Sequence, residues 1–169
     1  CLADNHMLNA CGFKFTSERE IISEDVYSIL GFYQHVRCVS VIGRAFYNYR
    51  VNPKSLTHIY RPDRLERVRE FYQASVRLVN KCGYPVVVKE RLSVPYVSFT
   101  IAALKNLAKS NESKETKREF ILRLADDSIF NEVADRACRF RHFGWKRHVL
   151  LRSVQRRRVN LVLMLCSKH

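Results

Sequence analysis

Two stretches of the chain hold residue types suited to a group transfer. Glu24 and Asp25 form an acidic pair that opens an amphipathic segment. Further on, the aromatic run Phe46-Tyr47-Asn48-Tyr49 delivers Arg50 into a polar loop with Asn52, Ser55 and Thr57. A carboxylate within hydrogen-bond reach of a hydroxyl can take its proton as that oxygen attacks. An arginine with hydroxyl and amide neighbours can neutralise a developing phosphate anion. The pattern suits a site that handles a hydroxyl nucleophile and an anionic leaving group. Plainer assignments stay open at both places. Acids in a first turn suit the helix dipole whatever else they do, and Arg50 is equally suited to pairing with Glu24 or Asp25 and positioning them.

The elements that position these residues follow from spacing. Leu2, Met7, Leu8 and Phe13 mark a short helical turn ending near Gly12, and Phe13-Lys14-Phe15 alternates like a brief strand. Ser23 is a predicted N-cap for a helix from Glu24, with Val26, Ile29, Leu30 and Tyr33 on one face. The β-branched run at residues 37–42 predicts a buried strand. Gly43-Arg44 reads as a turn and residues 45–51 as a second, aromatic strand, stopped by Pro53. Pro62 opens a helix whose Leu65, Val68, Tyr72, Val76 and Val79 repeat at three and four residues, with Gly83 as its C′ residue. Residues 86–109 predict a helix kinked by Pro95. A polar linker at 110–113 precedes a short helix around Phe120, Ile121 and Leu124. The cluster Asp126-Asp127-Ser128 caps another helix over 129–140. Gly144-Trp145 breaks the pattern, and residues 147–167 predict one last helix. The outline is α/β in part: two short strands near the start, then a helical tail.

At 169 residues and 47% hydrophobic, the chain is long enough for one ordinary domain and too apolar for disorder. It opens on Cys1 rather than Met and reads as a fragment or a processed chain. A pair of strands makes no stable sheet alone, so the rest of the sheet is expected before Cys1. Six cysteines at wide, irregular spacing, with no C-x-x-C, argue against a zinc ribbon or disulfide scaffold and for free buried thiols. The net charge of +14 is concentrated near the end. From Arg136 to His169 there are ten Lys or Arg and no acid, against twenty and sixteen in the remainder. Such a segment seeks phosphate, on a membrane surface or on nucleic acid. Arg156, Arg157 and Arg158 interrupt the apolar run, which excludes a membrane span. The last helix suits the membrane interface, with Trp145 at headgroup level and Lys146, Arg147 and Arg156 to Arg158 as polyanion contacts. A core helix with a solvated basic face is the other reading.

Taken together, Gly12-Phe13-Lys14-Phe15, Ser17-Glu18-Arg19-Glu20-Ile21-Ile22-Ser23-Glu24-Asp25, Tyr47-Asn48-Tyr49-Arg50-Val51-Asn52, Ser55-Leu56-Thr57 and Tyr60-Arg61-Pro62-Asp63-Arg64 resemble the second half of a bacterial family-2 glycosyltransferase, the kind that assembles capsular or exopolysaccharide. The motif-bearing match covers about residues 12–64; looser similarity covers the helical tail. The resemblance implies the C-terminal part of a GT-A nucleotide-sugar domain at residues 1–60, a helical extension at 61–143 and a basic amphipathic helix at 144–169. It implies a nucleotide-sugar donor, a polysaccharide or lipid-linked acceptor, inversion, and a place on the cytoplasmic face of the plasma membrane. Asp25 becomes the catalytic base with Glu24 its neighbour; Arg50, Asn52, Ser55 and Thr57 become the loop that meets diphosphate or an anionic acceptor. The family's Mg²⁺ or Mn²⁺ is held by a D-x-D, which this sequence lacks, as it lacks a glycine-rich phosphate loop. The chain thus carries base and acceptor-side machinery without most of a donor site, and is expected to be inactive alone. Two readings compete: a nucleic-acid module on the basic tail, which leaves the Glu24-Asp25 and Tyr49-Arg50 stretches unexplained, and a scaffold that kept the shape and lost the donor half.

Overall fold

The computed structural model describes residues 5–17, 19–45, 60–140 and 144–167. Among them the chain forms α1 (Asn5–Ala10), α2 (Glu24–Phe32) with a 3₁₀ turn at Tyr33–His35, α3 (Arg64–Lys81), α4 (Val86–Arg91), α5 (Ser93–Lys109), α6 (Lys114–Asp126), α7 (Ser128–Ala137), α8 (Trp145–Gln155) and α9 (Val159–Ser167). Helix α5 is the hub and packs on α3, α7 and α9; α2 lies on α3, and α8 lies on α6 and α9. One core runs from Ile21 and Ile22 to Cys166, and its fully buried members include Phe71, Leu104, Leu107, Ile121, Phe130, Leu151, Val154 and Val162.

The α/β expectation is overturned: the described residues contain helices and no strand. Residues 38–43 carry no regular structure, and Val39, Val41 and Ile42 are exposed. A β-branched run favours a strand only where a pleated, half-buried surface receives it; among the described residues no strand offers one. Phe13-Lys14-Phe15 forms no strand either, and Phe13 instead packs its ring on Phe32, with centroids 5.0 Å apart. The second expected strand lies outside the described residues except for Ala45, which is in none.

The helical tail follows its sequence signals more closely. In α3, Val68, Tyr72 and Val79 are buried, as their spacing requires. Gly83, at φ 65°, ends it in a Schellman motif: its N–H donates to the Asn80 carbonyl at 3.2 Å and the Tyr84 N–H to that of Val79 at 3.1 Å. The single helix kinked by Pro95 expected over 86–109 is instead two helices, separated at Leu92. Pro95 then sits in the first turn of α5, where its missing N–H leaves no bond unmade. Ser113 accepts from Thr116 N–H at 3.0 Å to cap α6. Asp127 accepts from Phe130 N–H at 2.7 Å to cap α7, while also pairing with Arg69 of α3 at 3.1 Å.

Two expectations about helix ends are corrected. Ser23 precedes α2 in a left-handed conformation, φ 54°, and its side chain makes no capping bond. The last helix is two helices, broken at the arginine triplet. Arg157 takes φ 55°; its N–H donates to the Val154 carbonyl at 2.8 Å and the Arg158 N–H to that of Ser153 at 2.9 Å. This is the Schellman stop of α3 with arginine in the glycine position, and Arg157 also pairs with Asp126. A left-handed non-glycine residue costs about 1–2 kcal/mol, whereas an exposed ion pair contributes about 0–1 kcal/mol. Arg157→Gly is therefore expected to leave stability unchanged or raise it by about 1 kcal/mol, and Arg157→Val to lower it; urea unfolding of both checks the sign.

Ser75 is the other local misfit. It is fully buried in α3, and its Oγ has no hydrogen-bond partner. A buried hydroxyl left unsatisfied costs about 1–3 kcal/mol. Ser75→Ala is expected to stabilise the fold by about 1 kcal/mol, a rise in Tm of about 2–4 °C in thermal unfolding.

Candidate active site

Asp25 stands in the first turn of α2, exposed, and its Oδ1 accepts the N–H of Val26 at 2.8 Å. Glu24 beside it is half-buried. The helix that carries them is fixed at several points. Ile21 and Ile22 are buried just before it, and Ser28 and Phe32 are buried within it. The Ser28 Oγ accepts the N–H of Thr16 at 2.9 Å, which ties segment 11–17 to the helix. Tyr84 donates its hydroxyl to the Leu30 carbonyl at 2.8 Å from beyond the end of α3. Asp25 is thus a solvent-facing carboxylate on a held helix, and among the described residues no cation forms an ion pair with it or with Glu24.

A groove of about 230 Å³ runs along α2 beyond this pair, between the helix and segment 11–16. Lys14, Thr16, Tyr27, Ser28, Gln34 and His35 supply its polar lining, with Phe13 and Leu78 as apolar walls. Tyr27 and Ser28 lie three and four residues past Glu24 and so share its face of the helix; neither acid lines the groove itself. Such a lining offers donors and acceptors to a hydroxyl-rich ligand. The sequence reading missed these groove residues. Their signal was present on α2 and the 3₁₀ turn after it as the series 24, 27, 28, 31, 34 and 35, but the opposite wall comes from a segment that only folding brings near.

Arg50, Asn52, Ser55 and Thr57 lie outside the described residues. The basic residues of the tail do not gather in one place. Trp145, Lys146 and Arg147 open α8, while Arg156, Arg157 and Arg158 follow its other end, about 16 Å away along the axis. The apolar face of both tail helices belongs to the core, with Leu151, Val154, Val162 and Cys166 fully buried. Burial pushes the Cys166 thiol up to about 11, so this thiol is a packing group at neutral pH. Cys38, by contrast, is exposed. No helix among the described residues is long and apolar enough to cross a membrane.

The family resemblance implies a divalent cation held by a D-x-D. The sequence has no D-x-D, and among the described residues no three His, Cys, Asp or Glu side chains are grouped to hold a metal. Asp126 and Asp127 are occupied by Arg157 and by the α7 cap with Arg69.

Comparison with known proteins gives one direction. The chain is similar to the uncharacterized glycosyltransferase EpsJ of Bacillus subtilis (strain 168), 29% identical over 148 residues, which is 86% of this chain and 40% of that protein. This chain is distantly related to a glycosyltransferase. It spans about two fifths of that relative's length. No family model matches the chain, and no solved structure matches it.

Proposed function

We propose that this chain supplies the general base and the acceptor groove of a family-2 glycosyltransferase acting in polysaccharide assembly. The observation that carries the reading is the exposed Asp25 carboxylate in the first turn of α2, the helix that also walls a polar groove through Tyr27, Ser28 and Gly31. The distant glycosyltransferase relative supports the reaction class. The acceptor is a hydroxyl of a polysaccharide or of a lipid-linked saccharide, and the donor is a nucleoside-diphosphate sugar. Asp25 takes the proton of the acceptor hydroxyl as its oxygen attacks the anomeric carbon from the face opposite the leaving group. The bond from that carbon to the nucleoside diphosphate breaks, and the diphosphate leaves with the electron pair. The configuration at the anomeric carbon is inverted.

Arg50, with Ser55, neutralises the departing diphosphate or an anionic acceptor, and Asn52 and Thr57 orient the same loop. This part rests on residue type and on the resemblance described above. Glu24, half-buried behind Asp25, holds the local field rather than the proton.

The test is nucleoside-diphosphate release by the complete gene product that contains this chain, assayed across several nucleotide sugars with and without saccharide acceptors. Acceptor-dependent release with at least one donor is the expected result. Release that ignores the acceptor with every donor, or no release from a folded and complete protein, overturns the reading.

A further inference from the structure

A second groove, of about 460 Å³, lies between α5, the start of α8 and the end of α9. Its volume falls in the range of small-ligand sites, and it is remote in sequence from the acidic end of α2. Ile101, Ala102, Leu150 and Leu165 give it an apolar floor. Lys105 and Lys146 stand in its lining, and no Asp or Glu lines it among the described residues. At its mouth Trp145 is 73% exposed and Val149 39%. The first turn of α8, which begins at Trp145, contains no acid and has no side-chain cap, so the positive end of that helix dipole adds to the field.

An apolar trough with a cationic rim and an exposed tryptophan matches one kind of ligand: an amphiphile with a hydrocarbon chain and an anionic head. We propose that this groove holds an anionic phospholipid of a bilayer, with an acyl chain laid along Ile101, Ala102, Leu150 and Leu165 and the phosphate taken by Lys105 and Lys146. Trp145 then sits at the headgroup level, where its ring is apolar and its N–H is wet. Stable attachment to a bilayer needs apolar insertion together with basic attraction, and this corner supplies both. A nucleic-acid strand fits less well, because stacking needs several aromatic platforms along a basic track. Among the described residues its lining has one aromatic ring, and the arginine triplet is at the far end of α8. The inference is independent of the transfer chemistry, and its test does not use it.

Trp145 is the single tryptophan of the chain, so intrinsic fluorescence reports this groove directly. The full chain is titrated with vesicles of phosphatidylglycerol or of phosphatidylcholine, with and without bromine on the acyl chains. The expected result is a saturable blue shift with phosphatidylglycerol, quenched by the brominated lipid, and binding at least about tenfold weaker to phosphatidylcholine. Lys105→Gln with Lys146→Gln is expected to weaken binding by about thirtyfold. Arg156→Gln with Arg158→Gln, beyond about one Debye length from the rim, is expected to weaken it by less than about threefold. Ala102→Phe fills the trough while keeping every charge and is expected to remove the bromine quenching. Far-ultraviolet dichroism verifies that each variant keeps its helices, and Ala102→Phe decides the matter if the lysine pair does not fold. Equal response to both lipids, equal loss from the distant arginine pair, quenching that survives Ala102→Phe, or a single-stranded oligonucleotide that displaces the vesicles at lower concentration would each overturn the proposal.

Discussion

Asp25→Asn is expected to lower the rate of sugar transfer by about 10²–10⁴-fold with little change in KM for the acceptor. An amide keeps the shape of the carboxylate and can still accept the Val26 N–H that Asp25 engages, but it cannot take a proton. General base catalysis contributes about 10²–10⁴ in rate, equivalent to about 3–5 kcal/mol of barrier. The structural cost is far smaller. An exposed carboxylate in a first turn stabilises its helix by about 0.3–1 kcal/mol, so the variant is expected to fold. Glu24→Gln is the matching control, because it removes the neighbouring charge and leaves the base. A drop below about tenfold is expected for it. Steady-state assay of both variants in the complete gene product separates the roles; equal losses would mean that the two acids act only as a charged pair.

Phe130→Ala is expected to destabilise the fold by about 3–5 kcal/mol. Its ring is fully buried at the start of α7, a helix that packs on the α5 hub. Its own N–H is held by the Asp127 cap, which in turn is paired to Arg69 of α3. Few side chains would remain to collapse into so large a void. Against a typical total of about 5–15 kcal/mol, the loss is a large share, on the order of a 10 °C fall in Tm. Val87→Ala, at an exposed position of α4, is expected to stay within about 0.5 kcal/mol. Chemical denaturation of the pair gives the comparison, and similar values for both would contradict the hub assignment.

The helical half of the molecule was legible in the chain because its signals are local. The three-and-four spacing of α3, the glycine after it and the Asp127 cap each act within a few residues. The tail was misjudged as one helix because its stop carries no glycine. Arg157 performs the left-handed turn that Gly83 performs after α3, and an arginine in an amphipathic run reads as more helix. The strand over residues 37–42 failed for a different reason. Val39, Val41 and Ile42 have the right side chains, but strand formation is decided by a partner, and the described residues provide none. At the site, the acids of α2 could be read from type and position. The groove could not, because Thr16 meets Ser28 only through a contact made in the fold. The basic tail shows the same limit: six residues close in sequence divide between the two ends of α8.

The proposed transfer requires that Asp25 and the α2 groove be one site. An amide-resolved titration of the complete gene product with an acceptor saccharide measures this, with labels placed on this chain's backbone. Saturable shifts are expected at Lys14, Thr16, Tyr27, Ser28 and Gly31, with Asp25 and Val26 moving at the same saccharide concentration. Saturable shifts confined to other helices, with the amides of α2 unmoved, would contradict it.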